Sequence, residues 1–251
     1  MKNVLFYFSA TGNCLQVARD IAAEIGDCEI ISLAKYDTEK RIAAERVGIV
    51  FPVYFWGIPN IVKTFLEKIG FENDPYLFAV ATCGHTFAAS LTQVNDLLRQ
   101  KNRKLHSGFA IRMPENYIIS FNADSEKTQR KLFVREKKKA ALIGKVVADK
   151  KEQPLEKSKL MIAWLLGKPI NESALKSFPT RDVNFNLNEN CTGCGLCAKR
   201  CPVHNITLVN GKPEWSHHCE LCPACLQNCP AQAINYNNLT QKRKRYVNPN
   251  V

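Results

Sequence analysis

The sequence predicts two modules in one chain: an α/β module with a doubly wound, five-stranded parallel sheet, then a small α+β module organised by metal. Three observations carry this. Short apolar runs alternate with helical patterns as far as residue 120. Eight of the eleven cysteines fall between Cys191 and Cys229, in two runs of one cadence. A lysine-rich helical pattern and a connector stand between the two regions. The divisions read as residues 1–152, a connector at 153–184, a metal module at 185–238 and a basic tail at 239–251.

Residues 2–8 form an apolar run of strand length, rich in aromatic and β-branched side chains. Ser9 to Cys14 is a tight polar loop, and Leu15, Val17, Ala18, Ile21, Ala22 and Ile25 then repeat at helical spacing up to Gly26. Further strands are predicted at Glu29–Leu33, Val47–Val53, Tyr76–Thr82 and Phe109–Arg112. Helices are predicted at Ile58–Ile69, Phe87–Arg99 and 124–152. Alternation of this kind, with near-continuous apolar strands, implies a parallel sheet covered on both faces. Ligands in such sheets sit at the carboxyl ends of the strands. Three loops lie there: Ser9–Asn13, Pro52–Pro59 and Thr82–Phe87.

The cysteine runs are CTGCGLCAKRCP from Cys191 and CELCPACLQNCP from Cys219, each C-x2-C-x2-C-x3-C-P. Three thiolates at this spacing can wrap one corner of a cubane, while the fourth points into a short helix and reaches the cluster of the other run. The assignment is one [4Fe-4S] cluster on Cys191, Cys194, Cys197 and Cys229, and a second on Cys219, Cys222, Cys225 and Cys201. Structural zinc is the alternative for paired CxxC, but it uses two separated pairs rather than two runs of four. A disulfide framework fits the count but not cysteines three apart in Gly-rich turns. This stretch resembles the bacterial two-cluster ferredoxins over about fifty residues, including their internal duplication.

SATGN at residues 9–13 matches the phosphate loop S/T-x-T-G-N of the flavodoxins, and residues 1 to about 120 resemble that family. The module is therefore expected to be flavodoxin-like and to hold FMN. Its hydroxyls, amides and helix N-terminus would take the 5′-phosphate at Ser9, Ala10, Thr11, Gly12, Asn13 and Cys14. The resemblance places the isoalloxazine against Pro52, Val53, Tyr54, Phe55, Trp56 and Gly57. Thr82, Cys83, Gly84 and His85 form the third flavin loop. Core packing is the alternative for the three aromatics, although Pro52, Gly57 and Pro59 argue against a regular element there. Cys14 stands where flavodoxins usually carry threonine. The third loop lacks the tyrosine that commonly covers the flavin, a place Phe87 or Tyr117 would have to fill. Cys83 reads as a small buried residue and His85 as a loop residue. With MPENY at Met113–Tyr117 between its modules, the chain resembles the small flavodoxin–ferredoxin fusion proteins of anaerobes.

The formal charge is +12, and two oxidised clusters with their thiolates lower it to roughly +8. Val4–Phe8 is too short for a secretion signal, and Leu160–Leu166 is too short to span a bilayer. A reducing, cytoplasmic compartment is expected. Trp164 and its neighbours read as an interdomain helix. Lys242–Arg245 reads as a solubilising or partner-docking tail, and no motif supports nucleic acid. The expected function is electron transfer between the two [4Fe-4S] clusters, FMN and a redox partner protein or small-molecule acceptor, with no catalytic side chain. The alternative is a flavin-dependent reductase of a small organic substrate.

Overall fold

The computed structural model describes residues 3–251. Lys2, placed in the first predicted strand, lies outside them. The chain opens with β1 (Asn3–Tyr7), α1 (Asn13–Ile25), β2 (Cys28–Ser32), β3 (Arg41–Ile42) and β4 (Arg46–Pro52). It continues with α2 (Asn60–Lys68), β5 (Gly70–Phe71), β6 (Tyr76–Cys83), α3 (Ser90–Arg99), β7 (Ser107–Arg112) and α4 (Glu126–Ala148). Five strands form one parallel sheet in the order β2-β1-β4-β6-β7. That is the flavodoxin-like order, which reverses direction beside β1. The short β3 and β5 pair in parallel away from this sheet.

Side chains alternate between the two faces, as strand geometry requires. Phe6, Ile49, Phe51 and Ala79 pack with Val62, Phe65 and Leu66 of α2 and Leu91, Val94 and Leu98 of α3. Leu5, Val50, Phe78 and Val80 face the other way, onto Val17 and Ile21 of α1 and Ile143 and Val147 of α4. The lysines of α4 are therefore its solvated side. The apolar positions of each strand are thus divided between two cores, which is why the strands read as continuous hydrophobic runs.

Residues 153–160 run along the outer edge of β7. The amides of Gln153 and Glu156 reach the carbonyls of His106 and Gly108, so they cover an edge that would otherwise be open. Helix α5 (Met161–Ser177) follows, then a 3₁₀ turn at Pro179–Asn184. The last part holds β8 (Phe185–Leu187), α6 (Leu196–Arg200), β9 (Ile206–Val209), β10 (Lys212–Trp215), α7 (Ala224–Gln227) and β11 (Ile234–Tyr236). β8 pairs antiparallel with β11, and β9 with β10. The latter hairpin turns through Asn210 and Gly211 at φ 49° and 74°, the left-handed pair that a two-residue turn demands.

The two parts share cores. Cys222 and Ala224 belong to the core that contains α2 and α3. Ile118, Ile119, Leu175 and Phe178 pack with Phe185, Leu221, Leu226 and Ile234. Residues 239–251, expected to be a solubilising or docking tail, are instead a seated strap. Thr240, Tyr246 and Asn248 are buried, and Arg243 and Arg245 donate to the carbonyls of Ile118 and Ile234. Both guanidinium groups are thus turned into the protein, which basic composition could not reveal. No helix among the described residues is long and apolar enough to cross a membrane.

Candidate functional site

A cavity of about 430 Å³ opens at the carboxyl ends of the sheet strands, where ligands of such sheets bind. Its wall contains Ser9, Ala10, Asn13 and Cys14 from the first loop. It also contains Pro52, Val53, Tyr54, Phe55 and Trp56 from the second, and Thr82, Cys83, Gly84 and His85 from the third. Three of the residues named from sequence stand outside the wall: Thr11, Gly12 and Gly57. The Thr11 hydroxyl accepts from Asn116 Nδ2, 2.6 Å away. Gly12, at φ 99°, lies under the strap, where an added methyl would come 2.3 Å from Val251. Gly57 packs against Gln93 and Asn171.

The first loop is held by its own hydroxyl. Ser9 Oγ accepts from the amides of Gly12 at 3.0 Å and Cys14 at 3.2 Å, at the N-terminus of α1. Both amides are thus engaged by the loop's own hydroxyl, at the end of α1 where the helix dipole favours an anion. Asn13 is braced from three sides: its Nδ2 donates to the Pro114 carbonyl, and its Oδ1 accepts from the Tyr246 hydroxyl at 2.6 Å and from Asn248 Nδ2 at 3.2 Å. Cys14 Sγ lies 3.1 Å from Thr82 Oγ1. Burial pushes the Cys14 thiol up to about 12 and the Cys83 thiol up to about 11, so both stay neutral near pH 7 and neither is a nucleophile.

The second loop is a two-residue turn. Tyr54 and Gly57 exchange backbone hydrogen bonds at 2.9 and 3.0 Å, with Phe55 at φ 44° and Trp56 at φ 67°. Left-handed backbone costs bulky side chains roughly 1–2 kcal/mol each, and such strain collects at functional sites. Asn171 of α5 fixes the turn by donating to the carbonyls of Tyr54 and Ile58. Phe55 packs edge-on to Tyr117 at 6.1 Å and to Phe178 at 5.3 Å.

The sequence reading missed part of the wall. Met113, Pro114, Glu115 and Asn116 line it, as do Ser120 and Phe121. They follow β7 at the same sheet edge, so the position of MPENY after the fifth strand was the available signal. Glu115 accepts from the amides of Asn116 and Tyr117 and stands 3.8 Å from His85. Tyr117 occupies the wall and Phe87 does not. Phe178, Leu221, Cys222 and Pro223 also line it, and nothing in the sequence joins them to the first 120 residues.

Two small hollows occupy the C-terminal part. Cys191, Cys194, Cys197 and Cys229 surround one. Cys201, Cys219, Cys222 and Cys225 surround the other. Glycines 193 and 195, at φ 70° and 73°, turn the chain tightly about the first. Burial raises the thiols of Cys219, to about 12, and of Cys222 and Cys225. Such thiols ionise when a metal takes the proton's place. Among the described residues no three His, Cys, Asp or Glu side chains meet at the spacing of a single ion. Cys222 borders both the second hollow and the large cavity.

A family model for the flavodoxin domain matches residues 4–116, and a model for the 4Fe-4S dicluster domain matches residues 190–234. No curated protein matches. Solved structures similar to the chain include a flavodoxin from the domain Archaea, at 15% identity over 58% of this chain and 99% of that one, TM-score 0.37. A flavodoxin from Streptococcus pneumoniae shares 13% over 57% and 98%, TM-score 0.36. An FMN-dependent NADH-azoreductase from Bacillus anthracis shares 9% over 59% and 100%, TM-score 0.41. By its two family models the chain is a fusion of an N-terminal flavodoxin domain with a C-terminal 4Fe-4S, ferredoxin-like domain, an electron-transfer flavo-iron–sulfur protein.

Proposed function

We propose that the chain passes electrons between two [4Fe-4S] clusters and one FMN held in the large cavity, and exchanges them with a redox partner protein or small acceptor. The observation that carries this is Cys222. It borders a hollow ringed by four cysteines and the wall of the flavodoxin-domain cavity at once, so cluster and flavin would be separated by little more than one side chain. The ligand sets are the crossed ones: Cys191, Cys194, Cys197 and Cys229 for the outer cluster, and Cys201, Cys219, Cys222 and Cys225 for the inner. The grouping of cysteines around the two hollows supports them.

The donor set suits FMN. The α1 N-terminus and the Ser9 hydroxyl offer an anion site. Tyr54, Phe55 and Trp56 offer an aromatic wall, and the Leu221–Pro223 turn closes the cavity on the cluster side. Thr11 and Gly12 act from behind, by holding the shape of the first loop. Bound FMN supplies the capacity to hold one electron or two. The chain's own part is to fix distance, exclude water and keep Cys14 and Cys83 neutral.

Crossed ligation has a direct test in the iron content of anaerobically purified variants. Wild type carries about eight irons, and Cys201→Ala about four. Adding Cys219→Ala to Cys201→Ala leaves about four, because one cluster loses two ligands, whereas adding Cys194→Ala abolishes both clusters. The reverse pattern refutes the crossing, and stoichiometric zinc in place of iron refutes the clusters.

A second reading, reduction of a small organic substrate at the flavin, is favoured by the exposure of His85 and Phe121 at the cavity wall. A change in flavin absorbance on adding an acceptor supports it; silence across quinones, nitroaromatics and azo compounds leaves the carrier alone.

A further inference from the structure

Helix α5 is mounted inside out. Toward the protein it turns Ala163, Gly167 and Asn171, with Leu175 the one large apolar side chain on that stripe. Asn171 is fixed by Tyr54, Ile58 and Gln93. A methyl on Gly167 would lie 3.0 Å from the Trp56 carbonyl oxygen, so the helix seats tightly on the cavity's aromatic turn. Toward solvent it turns its large apolar side chains. Met161 is 70% exposed, Leu165 60% and Ile162 57%, with Leu160, Leu166 and Ile170 also open. Amphipathic helices of soluble domains orient the other way. A contiguous exposed apolar stripe of this size marks an interaction face.

The charge around the stripe identifies the occupant. Lys157 and Lys159 precede it, Lys168 and Lys176 flank it, and all four are exposed; the exposed Glu172 between the last two leaves the surround net cationic. None has an acidic partner among the described residues. Trp164 lies on its border, 37% exposed. An exposed apolar helix face with a net cationic surround and a border tryptophan matches helices that lie in the plane of an anionic lipid interface. A second copy fits poorly, since a two-fold contact through this face would bring lysine fringe against lysine fringe.

We propose that the outer face of α5 docks the protein on an anionic membrane surface, without crossing it. The Trp56 turn of the large cavity then lies behind the docked helix, about one helix diameter from the lipid surface. The docking requires no particular cofactor content.

The experiment is co-sedimentation of the full chain, purified anaerobically, with phosphatidylcholine vesicles containing or lacking phosphatidylglycerol. Wild type pellets with the anionic vesicles and not with the neutral ones, and added salt weakens the binding. Met161→Asp/Leu165→Asp, at two of the most exposed positions, lowers the partition at least about tenfold with iron and flavin content unchanged. Lys157→Glu/Lys159→Glu/Lys168→Glu does the same through charge. Absence of wild-type binding to the anionic vesicles overturns the proposal, as does full binding by the Asp variant. Sedimentation velocity without vesicles supplies the other arm: a dimer dispersed by Leu165→Asp assigns the face to a second copy and equally overturns it.

Discussion

Asn248 is the residue by which the strap grips the first loop of the cavity. It is 1% exposed. Its Nδ2 donates to Gln16 Oε1 at 2.7 Å and to Asn13 Oδ1 at 3.2 Å. Asn248→Ala removes both bonds, and with them the bond that its Oδ1 accepts from the Asn250 amide at 2.9 Å, but keeps the backbone bond from the residue 248 amide to the Thr11 carbonyl. Neither acceptor is stranded: Gln16 Oε1 retains Asn250 Nδ2, and Asn13 Oδ1 retains the Tyr246 hydroxyl. The cost is therefore that of three bonds, with the Asn250 amide released at an exposed residue, about 2–3 kcal/mol in all. Tyr246→Phe removes one bond and costs about 1 kcal/mol. Together they leave Asn13 Oδ1 with no donor, so the double variant should exceed the sum of the singles by about 1 kcal/mol. Asn13 belongs to the cavity wall, and release of the strap should also weaken FMN binding by about tenfold. Urea unfolding and quenching of added FMN fluorescence measure the two effects. Additive single variants with wild-type FMN affinity would show that the strap does not brace the loop in solution.

Two further outcomes follow from the packing. Gly48 faces Phe78 across β4 and β6, and an added methyl would lie 2.3 Å from the ring; Gly48→Ala should cost about 1–3 kcal/mol by overpacking, seen as a lower urea midpoint with unchanged slope. Glu136 is buried between α1 and α4, and its Oε1 has no hydrogen-bond partner. Burial, followed by the Asp20 charge, pushes its carboxyl up from 4.5 to about 8. An acid held more protonated in the fold contributes stability that is complete below pH 4.5 and lost as pH rises through about 8. Glu136→Gln should remove that alkaline loss, and thermal unfolding on either side of the transition checks it.

Sequence periodicity located every strand of the main sheet, because a doubly covered strand must be apolar on both sides. The motif cadence assigned Cys229 to the first run and Cys201 to the second, the same sets that surround the two hollows. Periodicity placed three of the four cavity loops at the right sheet edge. Other features depend on contacts between distant residues and leave no local pattern. Phe178 and Leu221–Pro223 reach the cavity only because the two domains share a core. The strap's arginines and asparagines look like a solvated tail until their acceptors are known: distant carbonyls for the arginines, Asn13 and Gln16 side chains for the asparagines. Thr11 fits the phosphate-loop motif, yet its hydroxyl accepts from Asn116, more than a hundred residues away. The outward apolar face of α5 was invisible as well, since composition does not say which side of a helix is buried.

The central claim is that electrons reach the flavin through the cluster beside Cys222. Rapid mixing of the anaerobic full chain with a reduced one-electron iron–sulfur donor, followed by the bleaching of flavin absorbance, tests it directly. Cys225→Ala, which removes only the inner cluster, should slow flavin reduction by at least about tenfold while FMN remains bound. Cys194→Ala should slow it less, since it leaves intact the four cysteines of the hollow that Cys222 shares with the cavity. Flavin reduction at the wild-type rate in Cys225→Ala would contradict the account.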